Sequence, residues 1–330
     1  MKVAVLCGGP SSEHEVSLSS VRSILEHIDK KKYALSVVYI SKDLKCAQMS
    51  SDEYLATKDL TKSKLTSFIP FVQTVLSTYD VVLLAGLHGE FVEDGKLQAL
   101  LDTYKVRYTG SGMAASSLCM DKYRSSLLVS TQLPVQIPKT VCFSVGGHVN
   151  HDLHFPLVVK PNTMGSSVGV KFVHTKSEMQ KQLDTIFYEY HQKEAVVQEQ
   201  ITDAIEVSCG YLVAKDGTGR LLPPVEIIPQ SSPFFDYRAK YEVGGSIELS
   251  PPQHIADKTS EKISILASQI HTLLGCFAYS RSDFFVKGDA IYYLETNTLP
   301  GMTATSLLPK EAAAVNMSYA DLIDFIISNA

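Results

Sequence analysis

At 330 residues the chain is long enough for two or three domains, each with its own core. Its 45% apolar and 20% charged residues are those of an ordinary soluble globular protein, and a net charge of -5 with no Lys/Arg stripe leaves no electrostatic footprint for nucleic acid. No apolar run approaches the ~20 residues of a membrane span, no signal-peptide pattern precedes the first strand, and six cysteines without a CxxC pair suit reduced thiols in a cytoplasmic protein.

Lys2–Cys7 is an apolar run that reads as a buried parallel strand. It passes through Gly8-Gly9-Pro10-Ser11-Ser12 into a helix with Val21, Ile24, Leu25 and Ile28 at helical spacing, then into a second strand, Leu35–Ile40. Strand, glycine turn, helix and strand open a βαβ unit. The turn is not GxGxxG, no acidic residue closes a ribose pocket after the second strand, and GxxxxGK[ST] is absent, so neither a dinucleotide fingerprint nor a P-loop is present. Asp43–Phe68 is polar and irregular, a surface excursion with one short helix. Val81–Ala85 is another buried strand, ending at Gly86-Leu87-His88-Gly89-Glu90. Glu13, Glu15 and His88 thereby fall at carboxyl ends of parallel strands, where open α/β sheets bind ligands. A histidine beside glycines is as readily a plain turn residue.

Gly110–Met113 closes the first segment. Ser116–Val129 is helical and carries Lys122, and Lys139–Ser144 is a strand. Phe155–Pro161 is a strand bearing Lys160; it runs into Asn162–Gly169 (NTMGSSVG), with Val168–Val173 as the return strand. Such a Gly/Ser hairpin can close backbone N–H groups over phosphates, or be no more than a hairpin. Ser177–Tyr190 is an amphipathic helix. Strands follow at Ala195–Gln200, Glu206–Ala214 and Val225–Pro229. Ser231–Gly245 holds Phe234, Phe235, Tyr237 and Tyr241 between a proline and two glycines and is a candidate lid. The helix Ser260–Leu274 presents one apolar stripe and reads as core.

Ser280–Val286 and Ala290–Asn297 form a hairpin around Lys287-Gly288-Asp289. Asp283, Glu295 and Asn297 offer the oxygen donors that a hard cation such as Mg²⁺ takes. Alternation groups Arg281, Asp283 and Phe285 on one strand, and Tyr293, Glu295 and Asn297 on the other. A three-residue turn puts both groups on one side of the sheet. A two- or four-residue turn puts them on opposite sides and leaves a solvated hairpin face instead of a metal site. A carboxylate hairpin, a Gly/Ser hairpin after a strand lysine, and further lysines at Lys122 and Lys240 point to phosphoryl transfer by an ATP-dependent enzyme without a P-loop.

Four motifs, in order along the chain, resemble those of D-alanine–D-alanine ligases, members of the ATP-grasp superfamily. They are Gly8-Gly9-Pro10-Ser11-Ser12-Glu13-His14-Glu15-Val16-Ser17-Leu18; Leu87-His88-Gly89; Lys160-Pro161 with Gly165-Ser166-Ser167-Val168-Gly169; and Glu295-Thr296-Asn297-Thr298-Leu299-Pro300-Gly301-Met302-Thr303. The resemblance implies a mixed α/β chain with a Rossmann-like parallel-sheet domain (1–112), a central domain (113–203) and a C-terminal domain (204–330), the last two clasping ATP between antiparallel sheets. It implies ligation of two D-alanines through a D-alanyl phosphate for peptidoglycan precursor synthesis, in a homodimer.

Site roles follow by resemblance. Asp283, Glu295 and Asn297 hold two Mg²⁺ ions, with Mn²⁺ a possible substitute. Lys122 and Lys160 serve the ATP phosphates and adenine pocket, joined by Ser166. Glu199, Gln200 and Ile201 bind adenine, Glu206 the ribose, and Phe234 and Leu294 sandwich the base. Glu15 holds the first D-alanine's ammonium in a triad with Ser166 and Tyr241, and His88 lies near its carboxylate. Arg281 and Gly301 stabilise the oxyanion. Ser306 and Leu307 receive the second D-alanine, and Lys240 meets the transferred phosphoryl group. The resemblance further requires the hairpin turn to behave as an odd-numbered loop. Ser282 and Thr296 depart from the family pattern. Relatives that make D-alanyl-D-lactate depart from the pair Lys240-Tyr241, so its presence favours D-alanine as the second substrate, with a D-lactate or D-serine ligase as the alternative. A dehydrogenase or a silent nucleotide-binding scaffold are the competing classes, and the latter would be expected to have lost Arg281, Glu295 or Lys240.

Overall fold

A computed structural model describes residues 1–57, 59–147, 151–230 and 245–330. The chain opens with β1 (Lys2–Gly8), α1 (His14–His27) and β2 (Ala34–Ile40). From Val3 onward β1 is wholly buried, as an unbroken apolar run in a parallel sheet should be. Gly8 and Gly9 turn the chain at φ +84° and +98°, and a Cβ at Gly8 would strike the Ile40 carbonyl, so the strand-to-helix turn needs glycine there. β3 (Lys45–Ser50), α2 (Ser51–Ala56), β4 (Thr66–Ser67), α3 (Phe68–Thr74), β5 (Val81–Leu83) and α4 (Lys96–Thr103) complete this part. The sheet order is β4-β3-β2-β1-β5, with β2, β1 and β5 parallel and β3 and β4 antiparallel. β3 corrects the expected irregular excursion: Cys46, Ala47 and Met49 are buried, while exposed Lys45, Gln48 and Ser50 mask the strand. The chain leaves β1 toward β2 on one side and returns on the other as β5. Loops bearing Glu13 and His88 thus meet at a topological switch point.

The expected helix through Lys122 is two, α5 (Met113–Met120) and α6 (Lys122–Gln132). Asp121 breaks it by accepting the Arg124 N–H at 2.9 Å as the N-cap of α6. β6 (Thr140–Ser144), β7 (Leu157–Pro161), β8 (Lys171–Val173), α7 (Lys176–Asp184) and β9 (Glu194–Glu199) follow. They form an antiparallel sheet in the order β6-β9-β7-β8, backed by α7. The helix expected through Tyr190 ends instead in a wide π turn, Thr185–Glu189.

β10 (Ile205–Val213), β11 (Gly219–Leu221), β12 (Val225–Pro229), β13 (Ser246–Leu249), α8 (Asp257–Leu273), β14 (Tyr279–Lys287), β15 (Ala290–Asn297), α9 (Leu307–Ala314) and α10 (Tyr319–Ser328) finish the chain. This sheet runs β13-β12-β10-β14-β15, with β11 beside β10. The α8 stripe of Ile263, Leu266, Ala267 and Ile270 packs on Val207, Phe284 and Tyr293, together with Cys119 and Val129 from α5 and α6. Leu322, Ile323, Ile326 and Ile327 of α10 return to the core of the first sheet. The cores therefore do not follow the segments 1–112, 113–203 and 204–330: the middle segment lends helices to the third sheet, and the last segment closes the first core.

The hairpin turn has two residues, not three. Lys287 pairs with Ala290, and Gly288, at φ +58°, is the first of two central residues, the glycine position of a type II′ turn. That parity alone would part Asp283 from Glu295. A bulge restores it: Phe284 pairs with Tyr293, but Asp283 pairs with Glu295, leaving Leu294 unpaired. Asp283 and Glu295 therefore stand opposite each other, and Arg281 opposite Asn297. The expected grouping of Tyr293 with Glu295 fails for the same reason. Tyr293 is fully buried in the core with Phe284, while Leu294 and Glu295 both face the cavity beneath the hairpin.

Candidate active site

Two cavities meet under that hairpin. The larger, about 820 Å³, lies between the two antiparallel sheets, with Lys160, Phe172 and Gln198 on one wall and Glu206, Ile228 and Leu294 on the other. The smaller, about 430 Å³, lies where the carboxyl ends of β1 and β5 face the third sheet, and takes in Glu13, His88, Glu93, Arg281, Gly301 and Ser306. Lys122, Gly165 and Glu295 line both, so they stand where the two join.

At that junction the Lys122 ammonium lies 3.3 Å from Glu295 Oε2 and donates to the Met164 carbonyl at 2.7 Å. Beside it Arg281 grips Asp283 in a bidentate pair, Nε to Oδ1 at 3.0 Å and Nη2 to Oδ2 at 2.9 Å. Ser208 donates to the same carboxylate at 2.5 Å. Burial opposes the Arg281 charge, but the Asp283 carboxylate outweighs it and holds the guanidinium above its ordinary pKa. Asn297 Oδ1 accepts the Leu299 N–H at 2.8 Å, which fixes the chain entering the Gly301 loop. Two facing carboxylates with an amide oxygen one alternation away are an all-oxygen donor set, which fits a hard divalent cation and not a soft one. Among the described residues no three His, Cys, Asp or Glu side chains gather as a metal cluster. The two departures from the family pattern answer each other. Ser282 and Thr296 are cross-strand partners with hydroxyls 2.8 Å apart, and the Tyr293 hydroxyl donates to Thr296 at 2.9 Å.

The acid that meets Ser166 is Glu13, not Glu15. The Ser166 hydroxyl donates to Glu13 Oε1, and Glu13 is 5% exposed at the N-cap of α1. Glu15, within the first helical turn, is exposed and only borders the smaller cavity. Ser166 and Ser167 hold left-handed φ values of +49° and +58°, strain of the kind that functional loops retain. They also divide the two cavities: Ser166 lines the smaller and Ser167 the larger, so the expected nucleotide contact passes from Ser166 to its neighbour. His88 is buried, with Nε2 2.9 Å from the Ser20 hydroxyl. Burial lowers its pKa against a smaller opposing pull from Glu13, which favours the neutral imidazole. Glu93 is a site residue that the sequence reading passed over. Its Oε1 accepts the Gly89 N–H at 3.0 Å, and burial, then the Glu13 charge, push its carboxyl up to about 8. Its position four residues after Gly89 was the signal available.

At the acceptor end Ser306 is the N-cap of α9, but its hydroxyl turns back to the Thr303 N–H at 3.1 Å and the Thr303 hydroxyl at 2.8 Å. The first-turn N–H groups of α9 thus have no side-chain cap, beside a cavity that Leu307 also lines. Gly301 packs against Ser306, whose Oγ would be 2.9 Å from any Cβ at that position.

At the nucleotide end Lys160, Gln200, Ile201, Glu206 and Leu294 line the larger cavity as expected, but Glu199 does not. Glu199 turns to His154, accepting its backbone N–H at 2.9 Å and lying 3.1 Å from its Nδ1. Strand alternation gives the cavity to Gln198 instead. Phe234, Lys240 and Tyr241, with all of the candidate lid Ser231–Gly245 except Gly245, lie outside the described residues.

The family model described as "D-ala D-ala ligase N-terminus" matches residues 2–111, and "D-ala D-ala ligase C-terminus" matches residues 139–328. A D-alanine–D-alanine ligase of Leptospira biflexa is 34% identical over 346 aligned residues, covering 99% of this chain and 98% of the relative. The crystal structure of a D-alanine–D-alanine ligase from Bacillus anthracis complexed with ATP superposes with a TM-score of 0.77 at 30% identity, over 100% of this chain and 97% of that one. The VanG D-Ala:D-Ser ligase of Enterococcus faecalis gives 0.81 at 28% identity, over 99% and 98%. Two antiparallel sheets clasping the larger cavity are the ATP-grasp arrangement. With both halves of the family model and nearly the full length of its relatives matched, the chain is an enzyme of the D-alanine–D-alanine ligase family.

Proposed function

We propose that this enzyme joins two D-alanines at the expense of ATP, giving D-alanyl-D-alanine, ADP and phosphate, and so supplies a peptidoglycan precursor. The observation that carries the reading is the junction of Lys122, Gly165 and Glu295, shared by a nucleotide-sized cavity and a smaller acidic one. The γ-phosphoryl group passes there from ATP to a carboxylate oxygen of the first D-alanine. The second D-alanine's amine then attacks the acyl carbon, the C–O bond breaks, and phosphate leaves.

In this reading Glu13, hydrogen-bonded to Ser166, receives the first ammonium, and neutral His88 lies by its carboxylate. Lys122, Lys160 and the Gly165–Ser167 backbone hold phosphates; Gln198, Gln200, Ile201, Glu206 and Leu294 line the nucleoside. Arg281 and the Gly301 N–H face the developing oxyanion. The uncapped start of α9, at Ser306 and Leu307, takes the acceptor's carboxylate. Mg²⁺ held by Asp283, Glu295 and Asn297, when bound, supplies charge neutralisation to the phosphates. Lys240, Tyr241 and Phe234 keep the phosphoryl, lid and adenine roles that the resemblance implies, and a homodimer is the proposed assembly.

A coupled assay for ADP with D-alanine, D-serine, D-lactate and L-alanine, with mass analysis of the product, tests this directly. D-alanine-dependent ADP formation with D-alanyl-D-alanine as main product supports it; ADP release indifferent to D-alanine rejects it. The likeness to a D-Ala:D-Ser ligase makes D-serine the second acceptor to compare, and a larger kcat/KM for D-serine than for D-alanine would move the assignment there.

A further inference from the structure

Cys119 and Cys276 are 157 positions apart in sequence, yet their sulfurs are 3.7 Å apart. Cys119, near the end of α5, is 4% exposed and borders the smaller cavity. Cys276, just beyond α8, is partly exposed, more so than Cys119. No other sulfur–sulfur contact occurs among the described residues, and both thiols are free. The pair has no place in the ligation chemistry above. We propose that Cys119 and Cys276 form a peroxide-oxidisable pair whose disulfide pulls α5 out of its catalytic position and slows the ligase.

Side-chain hydrogen bonding with Cys119, then burial acting against it, then Ser111 and Ser280 leave the Cys276 thiol below its ordinary pKa, while the same contact and burial raise Cys119. Cys276, also the more exposed of the two, is the attacking sulfur. Its thiolate attacks one oxygen of hydrogen peroxide, the O–O bond breaks, and hydroxide leaves with the thiol's proton as water. The Cys119 sulfur then attacks the resulting sulfenic acid, the S–O bond breaks, and a second water carries off the remaining proton. Two thiols lose two electrons and peroxide gains them. The sulfurs must close to about 2.0 Å. α5 is followed directly by Asp121, the cap of α6, and by Lys122 at its first position. Drawing Cys119 toward Cys276 displaces the residue whose ammonium stands at the junction of the two cavities.

The activity arm rests on the ligase reading, whereas the crosslink is read by mass alone. Full-length reduced protein is treated with hydrogen peroxide, digested without reductant, and assayed in parallel for D-alanine-dependent ADP formation. The expected result is a Cys119–Cys276 peptide pair, a fall of at least tenfold in rate that tracks its yield, and recovery with dithiothreitol. Cys276→Ser should keep the untreated rate and resist peroxide, while Cys142→Ser should respond like the parent. ATP with D-alanine should slow crosslinking by filling the cavity that Cys119 borders. Absence of the peptide pair, a crosslinked protein with unchanged rate, or an equal loss in Cys276→Ser would overturn the proposal. If the reduced protein makes no ADP while the crosslink still forms, the ligase reading fails and the thiol pair stands.

Discussion

Glu13 and Glu15 sit two residues apart in one motif, and only backbone geometry tells them apart. Glu13 at the cap of α1 points inward to Ser166, while Glu15 in the first turn borders solvent. Glu13→Gln should lower kcat/KM for the first D-alanine by about tenfold to a hundredfold, the worth of one charge-assisted contact. Glu15→Gln should change it less than threefold. Steady-state kinetics on the two variants decides, and the reverse ranking would restore Glu15. Glu295→Gln should abolish D-alanine-dependent ADP release, since it removes both a proposed cation ligand and the partner of Lys122. Near-parental turnover would defeat that assignment. Residue identities were legible at these positions, but which of two neighbouring carboxylates turns inward was not, because a helix start offers both directions within one turn. Glu199 and Gln198 repeat the lesson on a strand, where a single step changes the face.

The β14–β15 hairpin shows the same limit at the scale of an element. Two strands, their polar residues and the glycine turn could all be read from the sequence. Their common face could not, since it depends on a two-residue turn and a one-residue bulge at Leu294 that together count as odd. No composition marks that bulge. Gly288 has open space around it, so Gly288→Ala meets no clash and only the left-handed φ opposes it. A loss of about 1 kcal/mol with an intact rate is expected from denaturant titration. Unchanged stability would remove the case for a primed turn.

α9 carries a second element-scale test. Glu311 is fully buried against β10, its Oε2 accepting the Gly210 N–H at 2.8 Å, and burial pushes its carboxyl up to about 8. The folded protein thus holds a proton that the unfolded chain releases near the ordinary value of 4.5. Stability from this group is present below pH 4.5 and is lost as pH rises toward 8, by up to about 1.4 kcal/mol per pH unit. Glu311→Gln should flatten that fall, so the Tm difference between variant and parent should move in the variant's favour from pH 5 to pH 8. A constant difference would show that Glu311 does not titrate in that range.

Across the whole molecule, the strand-helix order and the ATP-grasp motifs were readable from the chain, whereas the distribution of the cores was not. α10 completes the core of the first sheet and α5–α6 that of the third, because helices pack on whichever apolar face is nearest in space and not in sequence. That interlocking brings Glu13 from beside the first sheet, Gly165 from the second and Glu295 from the third to line the smaller cavity, with Gly165 and Glu295 at its junction with the larger. Phosphoryl transfer to a carboxylate at that junction is the step on which the proposed ligation depends. D-alanine carrying ¹⁸O in both carboxyl oxygens tests it in one turnover. An acyl phosphate intermediate requires each released phosphate to carry one ¹⁸O from the substrate, in step with dipeptide formed. Unlabelled phosphate accompanying labelled dipeptide would contradict it.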